Sequence, residues 1–296
     1  PDARFPPLAD GPDAWVRSQQ RRRERLAEAC RKLGLGSNRS APLAEPVARQ
    51  LLLEPNHRLL YCEVPKAGCS NWRRVLLLLT LNRSRADPRE VRPDLLHRTG
   101  LLRRLNSVRP QERGLVLGRY RSLLVSRHPL ERLVSAYRDK LLHSEPYYRH
   151  VAAVMRAAVR GRRAQDQRGN LTFSEFVTFV LRQKPEALDV HWRPVERLCS
   201  PCRVGYGLLL HHESLSAEAG RALGSLGISL PGSFPSAKEH ARERRTDPGL
   251  TRLYLRQLSP QQLSGLHRLY HLDFALFGYE PLDLTAPGAT GPGAAP

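Results

Sequence analysis

Acidic residues are scarce in this chain: 28 Asp and Glu stand against 48 Lys and Arg in 296 residues, a formal charge of +20. Such an excess points to anionic partners: nucleic acid, a membrane surface, an anionic glycan or a phosphorylated cofactor. Aromatic residues are also few, at 6%. They are not interleaved with basic residues in a base-stacking pattern, and no RNA- or DNA-binding motif occurs, which sets nucleic acid aside. No apolar run approaches the ~20 residues that cross a bilayer; the longest centres on Val75–Leu79. A second C-x-x-C beside Cys199-Ser-Pro-Cys202 is missing, so no zinc site is expected. The phosphate-loop pattern Gly-x-x-x-x-Gly-Lys-[Ser/Thr] is absent too, and no Asp-bearing strand offers a magnesium partner, which argues against a kinase or NTPase.

What is present is enough to fold. At 41% hydrophobic the chain can bury a core, as one large domain with extensions or two small ones. Residues 1–50 are rich in Pro, Arg and Ala, with one helix expected from Ala14 to about Leu33, and read as a stem or linker. Residues 51–283 read as the folded unit, and 284–296 as a disordered tail of low complexity. The five cysteines, at 30, 62, 69, 199 and 202, are expected to include a structural disulfide involving Cys199 and Cys202. Three N-x-[Ser/Thr] sequons, at Asn38, Asn82 and Asn170, lean with them toward a secretory lumen and mark glycosylation sites. The chain opens Pro-Asp-Ala and not with methionine, so its true N-terminus is expected to lie upstream, and the lack of an apolar span here is no evidence against an anchor in the full protein.

Two strand-to-helix turns carry the chemistry. HRLLYCEV, 57–64, predicts a strand, followed by the turn PKAGC and a helix from Ser70, as N-cap, to about Asn82. A second strand over Tyr120–Ser126 runs into Arg127-His128-Pro129. There Pro129 opens a helix with apolar residues at 130, 133, 134, 137 and 141. Thr172–Arg182 predicts a helix with a capping box between Thr172 and Glu175, and Pro260–Tyr270 another. Strands alternating with helices indicate an α/β fold with a mainly parallel central sheet flanked by helices. In such sheets ligands bind beyond the carboxyl ends of the strands, where both turns lie. Gly68 lets a backbone approach an anion closely, Lys66 adds a point charge and Ser70 a donor. Arg127 suits bidentate phosphate contact, with Ser135 two helical turns on and Arg132 between them. A ligand with two separated phosphates would satisfy both turns.

These segments bear a family resemblance. VPKAGCSNWRRVL resembles the 5′-phosphosulfate-binding segment of Golgi carbohydrate sulfotransferases, in the branch of the HNK-1, chondroitin, dermatan and N-acetylgalactosamine 4-O-sulfotransferases. RHPLERLVSAYRDK is similar to that branch's 3′-phosphate-binding segment, and DVHWRPVERLCSPC and LYHLDFALFGY to two further blocks, so the likeness covers about 57–280. PKAGCSNW and RLCSPC fit best the enzymes that sulfate terminal N-acetylgalactosamine on N-glycans. The resemblance implies a sulfotransferase fold of P-loop-like layers and 3′-phosphoadenosine 5′-phosphosulfate as donor, without a metal. It implies a glycan acceptor, anionic or bearing N-acetylgalactosamine, and a type II membrane protein facing the Golgi lumen.

Carried over by position, the donor site is Pro65, Lys66, Ala67, Gly68, Cys69, Ser70 and Asn71, then Arg127, His128, Pro129, Leu130, Glu131, Arg132, Leu133, Val134 and Ser135. Lys66 would stabilise charge on the departing phosphate oxygen. A histidine is the usual base near neutral pH. His97 in LLHRTGLL, where related enzymes of the branch carry a histidine, is the first candidate and His191 in DVHW the second, with Glu131 a third. Two departures stand out. His128 replaces the family's glutamate, and Tyr206–Glu213 lacks its aspartate, glycine and lysine. A chondroitin or dermatan 4-O-sulfotransferase, or a catalytically weak glycan-binding relative, are the alternative readings.

Overall fold

The computed structural model describes residues 12–36, 42–92, 95–96, 100–143, 146–161, 169–236 and 244–285. They divide into two compact units, each built from two stretches of chain: 1–127 with 195–242, and 128–194 with 243–296.

The first unit holds the sheet. Helix α1 (Pro12–Lys32) and the short α2 (Glu45–Gln50) lead into strand β1 (Leu51–Glu54), a hairpin partner of β2 (Leu59–Cys62). Helix α3 (Cys69–Thr80), the two-residue β3 (Arg103–Arg104) and α4 (Arg113–Arg119) precede β4 (Arg121–Ser126). The strand order is β3-β1-β2-β4-β5, with β5 at Leu208–His211. β2, β4 and β5 are mutually parallel, and β1 runs against both of its neighbours, so four of the five strands share one direction. The strands expected at the two phosphate turns are thus adjacent and parallel, with Tyr61 opposite Leu123 and Cys62 opposite Leu124.

Strand β2 starts two residues later than the sequence suggests. His57 belongs to the hairpin turn, where buried Glu54 accepts from the backbone N–H of Asn56 (3.0 Å) and of His57 (2.7 Å). Every residue of β1 and β2 is buried, as in a sheet covered on both faces. Trp72, Val75, Leu76 and Leu79 of α3 are buried as well.

Short helices α8 (Val195–Cys199) and α9 (Pro201–Val204) precede β5, and α10 (Leu215–Ser225) follows it. Cys199 and Cys202 do not pair with each other: Cys199 bonds Cys62 at the end of β2, and Cys202 bonds Cys30 of α1. Cys69 is a free thiol. The segment read as a stem is therefore fastened to the sheet unit, and not by sulfur alone. Arg22 of α1 forms a two-pronged ion pair with Glu218 of α10, at 2.6 and 2.7 Å, while the Gln19 amide donates to Leu209 O and accepts from Leu209 N.

The second unit is helical: α5 (Pro129–Leu141), α6 (Pro146–Arg160), α7 (Phe173–Leu181), α11 (Pro248–Leu255) and α12 (Pro260–Phe277). Its core gathers Leu130, Leu133, Tyr137, Phe173, Phe176, Trp192, Leu266 and Tyr270. The Thr172–Glu175 capping box forms as the sequence predicts, and Ser259 with Gln262 makes a second at the start of α12. α12 continues through HLDFALF to Phe277 and stops at Gly278, whose φ of 69° supplies the left-handed cap. Among the described residues no helix is long and apolar enough to cross a membrane.

Candidate active site

The first of the two turns expected to bind phosphate joins β2 to α3. Lys66 has φ 68° and Gly68 φ 83°, so two residues in left-handed conformation flank Ala67. The Ala67 N–H between them donates to the Val64 carbonyl at 3.3 Å, which closes the turn on itself. α3 opens one residue before its expected start. Gly68 is the N-cap, no side chain caps the helix, and Ser70 is its second residue. The expectation of a Ser70 cap is corrected, because the Gly68 carbonyl accepts from the N–H groups of Asn71 (3.1 Å) and Trp72 (3.2 Å), so the helix already turns around residue 68. An uncapped N-terminus leaves its partial positive charge for a ligand.

A left-handed lysine costs about 1–2 kcal/mol. What offsets it is Arg127, buried at the end of β4, whose Nη1 donates to the Lys66 carbonyl at 2.8 Å. A charged hydrogen bond contributes roughly 1.5–3 kcal/mol, so the pair holds the turn in shape. Arg127 is thus tied to the Pro65–Gly68 turn, a contact that the sequence did not reveal. Leu215 packs close against the turn: a Cβ on Gly68 would lie 2.7 Å from Leu215 Cδ2.

Glu63, just upstream, was missed by sequence reasoning. Its buried carboxylate sits between Arg73 (2.8 Å) and Arg104 (2.8 Å), and its carbonyl accepts from Gln50 Nε2. The trio fixes the chain entering the turn and carries one net positive charge. Burial first, and Glu63 second, push the half-buried Cys69 thiol up to about 11, against Lys66 and Arg73, so it stays neutral near pH 7. Asn71 is drawn inward, its side-chain oxygen accepting from Arg74 at 3.2 Å.

The second turn divides between the units after Arg127. Buried His128 occupies the N-cap position of α5 without a side-chain capping bond, with Nε2 3.0 Å from Glu280 O and its ring edge-on to Phe274 and Tyr279. His128 is thus packed between aromatic rings of its own unit. Pro129 opens α5 as predicted, and Leu130, Leu133 and Val134 belong to the helical core. Glu131 is buried in the first turn, and Ser135 is half-buried on the same helix. Arg132 has a different task from the one expected: it is buried, and its Nη1 and Nη2 donate to the carbonyls of His191 (3.0 Å) and Arg193.

His191 therefore stands on a braced turn in the helical unit. Its Nδ1 lies 2.7 Å from Asp189 Oδ1 and 2.9 Å from the Tyr148 hydroxyl. Burial works to raise the Asp189 pKa, but hydrogen bonds from the His191 side chain and backbone, with His191 charge and Tyr148, outweigh it and hold the carboxyl below its usual value. The spacing Asp-x-His was a legible signal for Asp189; Tyr148, 43 residues away, left none. His97 and Asn38 lie outside the described residues. Asn82 and Asn170 are exposed. Among the described residues no group of three or more His, Cys, Asp or Glu is placed to hold a metal.

The residues present fit a doubly phosphorylated nucleotide in their chemistry: a helix start without a side-chain cap, Lys66 and an arginine at the next strand's end. The profile of the Sulfotransferase family matches residues 49–280. Carbohydrate sulfotransferase 8 of Homo sapiens is 38% identical over 275 residues, covering 90% of this chain and 64% of that protein. Carbohydrate sulfotransferase 9 of Homo sapiens is 33% identical, covering 88% and 60%. Carbohydrate sulfotransferase 11 of Rattus norvegicus is 30% identical, covering 88% and 75%. The chain thus spans less than two thirds of the length of the first two relatives. No solved structure matches it. The family profile covers most of the chain, and these relatives are carbohydrate sulfotransferases at 30% identity or more: the chain belongs to the sulfotransferase family.

Proposed function

We propose that this protein transfers a sulfuryl group from 3′-phosphoadenosine 5′-phosphosulfate to the 4-hydroxyl of N-acetylgalactosamine, on terminal residues of N-glycans. Residues 51–283 form the catalytic domain, 1–50 lead into it, and the protein works in the Golgi lumen, held by a membrane anchor. Two disulfides and the exposed sequons at Asn82 and Asn170 support the lumenal reading.

The observation that carries the proposal is the Pro65–Gly68 turn, with its uncapped helix start and its clamp from Arg127. The donor supplies the sulfuryl group and a phosphate oxygen able to leave. Lys66 places a cation for the charge that develops on that oxygen, and the N–H groups at the start of α3, with Ser70, hold the 5′ end. By the family's pattern Arg127 and Ser135 take the 3′-phosphate. A histidine receives the acceptor's proton.

Lys66→Ala tests the reading. Turnover with labelled donor should fall by about 10²–10³-fold, the usual worth of one electrophilic contact, with the unfolding midpoint unchanged. Equal turnover discards the assignment. Calorimetry with adenosine 3′,5′-bisphosphate should show binding; none would refute the donor. A panel of terminal GalNAc-β-GlcNAc glycans and desulfated chondroitin and dermatan, with linkage analysis, separates the acceptors. Anionic glycan binding without transfer to any of them would mark a non-catalytic relative.

A further inference from the structure

Helix α1 of the sheet unit carries a row of basic side chains that the fold leaves unused. Arg17, Arg21 and Arg25 recur every four residues, so they stand along one flank of the helix, about 6 Å apart down its axis. All three are exposed, and among the described residues none of them makes a hydrogen bond or an ion pair. The acidic residues of the helix are engaged elsewhere or lie at its start: Glu28 pairs with Lys32 at 2.7 Å, Glu24 accepts from Gln20 at 2.8 Å, and Asp13 stands in the first turn. The opposite face is fixed. Trp15 and Leu26 are buried, Cys30 is bonded to Cys202, and Arg22 holds Glu218. A row on so firmly tethered a helix meets a ligand already aligned, with little backbone freedom left to lose on binding.

The flank has a direction. Arg22, next to Arg21, reaches Glu218 of α10 and the Leu209 carbonyl of β5. His211, at the carboxyl end of β5, is buried, and that burial first, then the charges of Arg22 and Arg25, hold its pKa well below the usual histidine value. Arg25 therefore lies toward the carboxyl end of the parallel strands, the edge of the same unit at which Lys66 and Arg127 stand.

Regularly spaced cations suit a ligand with regularly spaced anions. A membrane surface would need apolar side chains beside them, but of the large apolar residues described on α1 only Val16 is exposed. A single-stranded nucleic acid would need an exposed ring for its bases, and Trp15, the one aromatic residue of the helix, is buried. We propose that the Arg17–Arg21–Arg25 row is a docking surface for a polyanionic glycan, a chain whose carboxylate or sulfate groups meet the guanidinium groups in turn. A guanidinium presents a planar fork that fits either group. The inference goes beyond the reaction proposed above: the row holds an acidic chain alongside the sheet edge and does not touch the reacting atoms.

The test uses the whole chain and needs no donor. End-labelled chondroitin sulfate and its chemically desulfated form are titrated with the parent and with a variant combining Arg17→Gln, Arg21→Gln and Arg25→Gln. This variant should bind chondroitin sulfate about 10-fold more weakly, as expected for the loss of three exposed ion pairs, and with a shallower dependence on salt. The control combines Arg85→Gln, Arg109→Gln and Arg119→Gln, exposed arginines elsewhere in the same unit. It lowers the net charge equally and should weaken binding by less than about twofold. Both variants should keep the parent's unfolding midpoint in urea. A loss that persists with the desulfated chain assigns the contact to carboxylates, and a loss confined to the sulfated chain assigns it to sulfates; either supports the proposal. Equal losses in the two variants would mean diffuse charge attraction and overturn it, as would a parent that does not bind chondroitin sulfate. Tighter binding to vesicles of acidic phospholipid or to duplex DNA than to chondroitin sulfate, lost in the Arg17–Arg21–Arg25 variant, overturns it too. Because the binding needs no turnover, failure here leaves the donor reading untouched.

Discussion

Replacing the Cys30–Cys202 pair by alanines should destabilise the sheet unit by an amount set by the other disulfide. Taken alone, the bond closes 172 residues, worth about 5 kcal/mol of denatured-chain entropy. However, Cys62–Cys199 already ties the chain together within that loop. The path that remains for Cys30–Cys202 to close is only about 35 residues, from Cys30 to Cys62 and from Cys199 to Cys202, worth about 4 kcal/mol. By the same geometry, removing Cys62–Cys199 alone also costs about 4 kcal/mol, and removing both costs about 9 kcal/mol, roughly 1 more than the sum of the single losses. The assay is urea unfolding without reductant, in a Trp192→Phe background, so that the remaining tryptophans, Trp15 and Trp72, report on the sheet unit alone. With a slope of about 3 kcal/mol/M, the midpoint should fall by more than 1 M for either pair. A fall below roughly 0.3 M, or a double loss smaller than the sum, would refute the chain-entropy reasoning.

Two further outcomes follow from local geometry. Gly68→Ala places a methyl 2.7 Å from Leu215 Cδ2 at a φ of 83°, so it should cost more than about 1 kcal/mol and weaken adenosine 3′,5′-bisphosphate binding. Calorimetry and urea unfolding together check it, and unchanged affinity would mean that the turn does not hold the nucleotide. The hydrogen bond from Arg160, with help from Thr172, pulls the Glu175 carboxyl down to about 2 against some burial, from an ordinary 4.5. A lowered folded-state pKa means that the stability Glu175 adds is complete above about pH 4.5 and vanishes as pH falls toward 2. Glu175→Gln should therefore lower stability at pH 7 and flatten its decline over that interval, as thermal melts across the range would show.

How much of this was legible depended on whether the signal was local. Pro129, the Thr172–Glu175 box and the period of α5 announce their helices through contacts within one or two turns. The two strands at the phosphate turns were readable because each ends in a run of turn residues. β1 and β5 were not: LLLE and LLLH are four-residue apolar runs without alternation, and only pairing with β2 and β4 makes them strands. Cap choice at α3 turned on a backbone dihedral at Gly68, which the nearby serine obscured. In the site, Lys66 and Arg127 were visible as charges, but their mutual bond spans 61 residues of chain. Arg132 misled for the opposite reason: an arginine one turn beyond a phosphate turn resembles a ligand, whereas its work is on the carbonyls of a distant turn. Disulfide partners were open for the reason spacing never decides them: the fold sets which thiols meet.

The placement of Gln19 has a practical meaning. Among the described residues β5 is the last strand of the sheet, and an outer strand offers its unpaired amides to any other chain. At Leu209 the Gln19 side chain impersonates a missing neighbour, giving and receiving one bond each, and Arg22 adds a second contact to the same carbonyl. The span that the family profile recognises begins at residue 49, after both. A protein trimmed to that span would bare this rim and strand the Glu218 carboxylate without its counter-ion. Such trimmed preparations should clump through rim-to-rim association, whatever their chemistry at the phosphate turns.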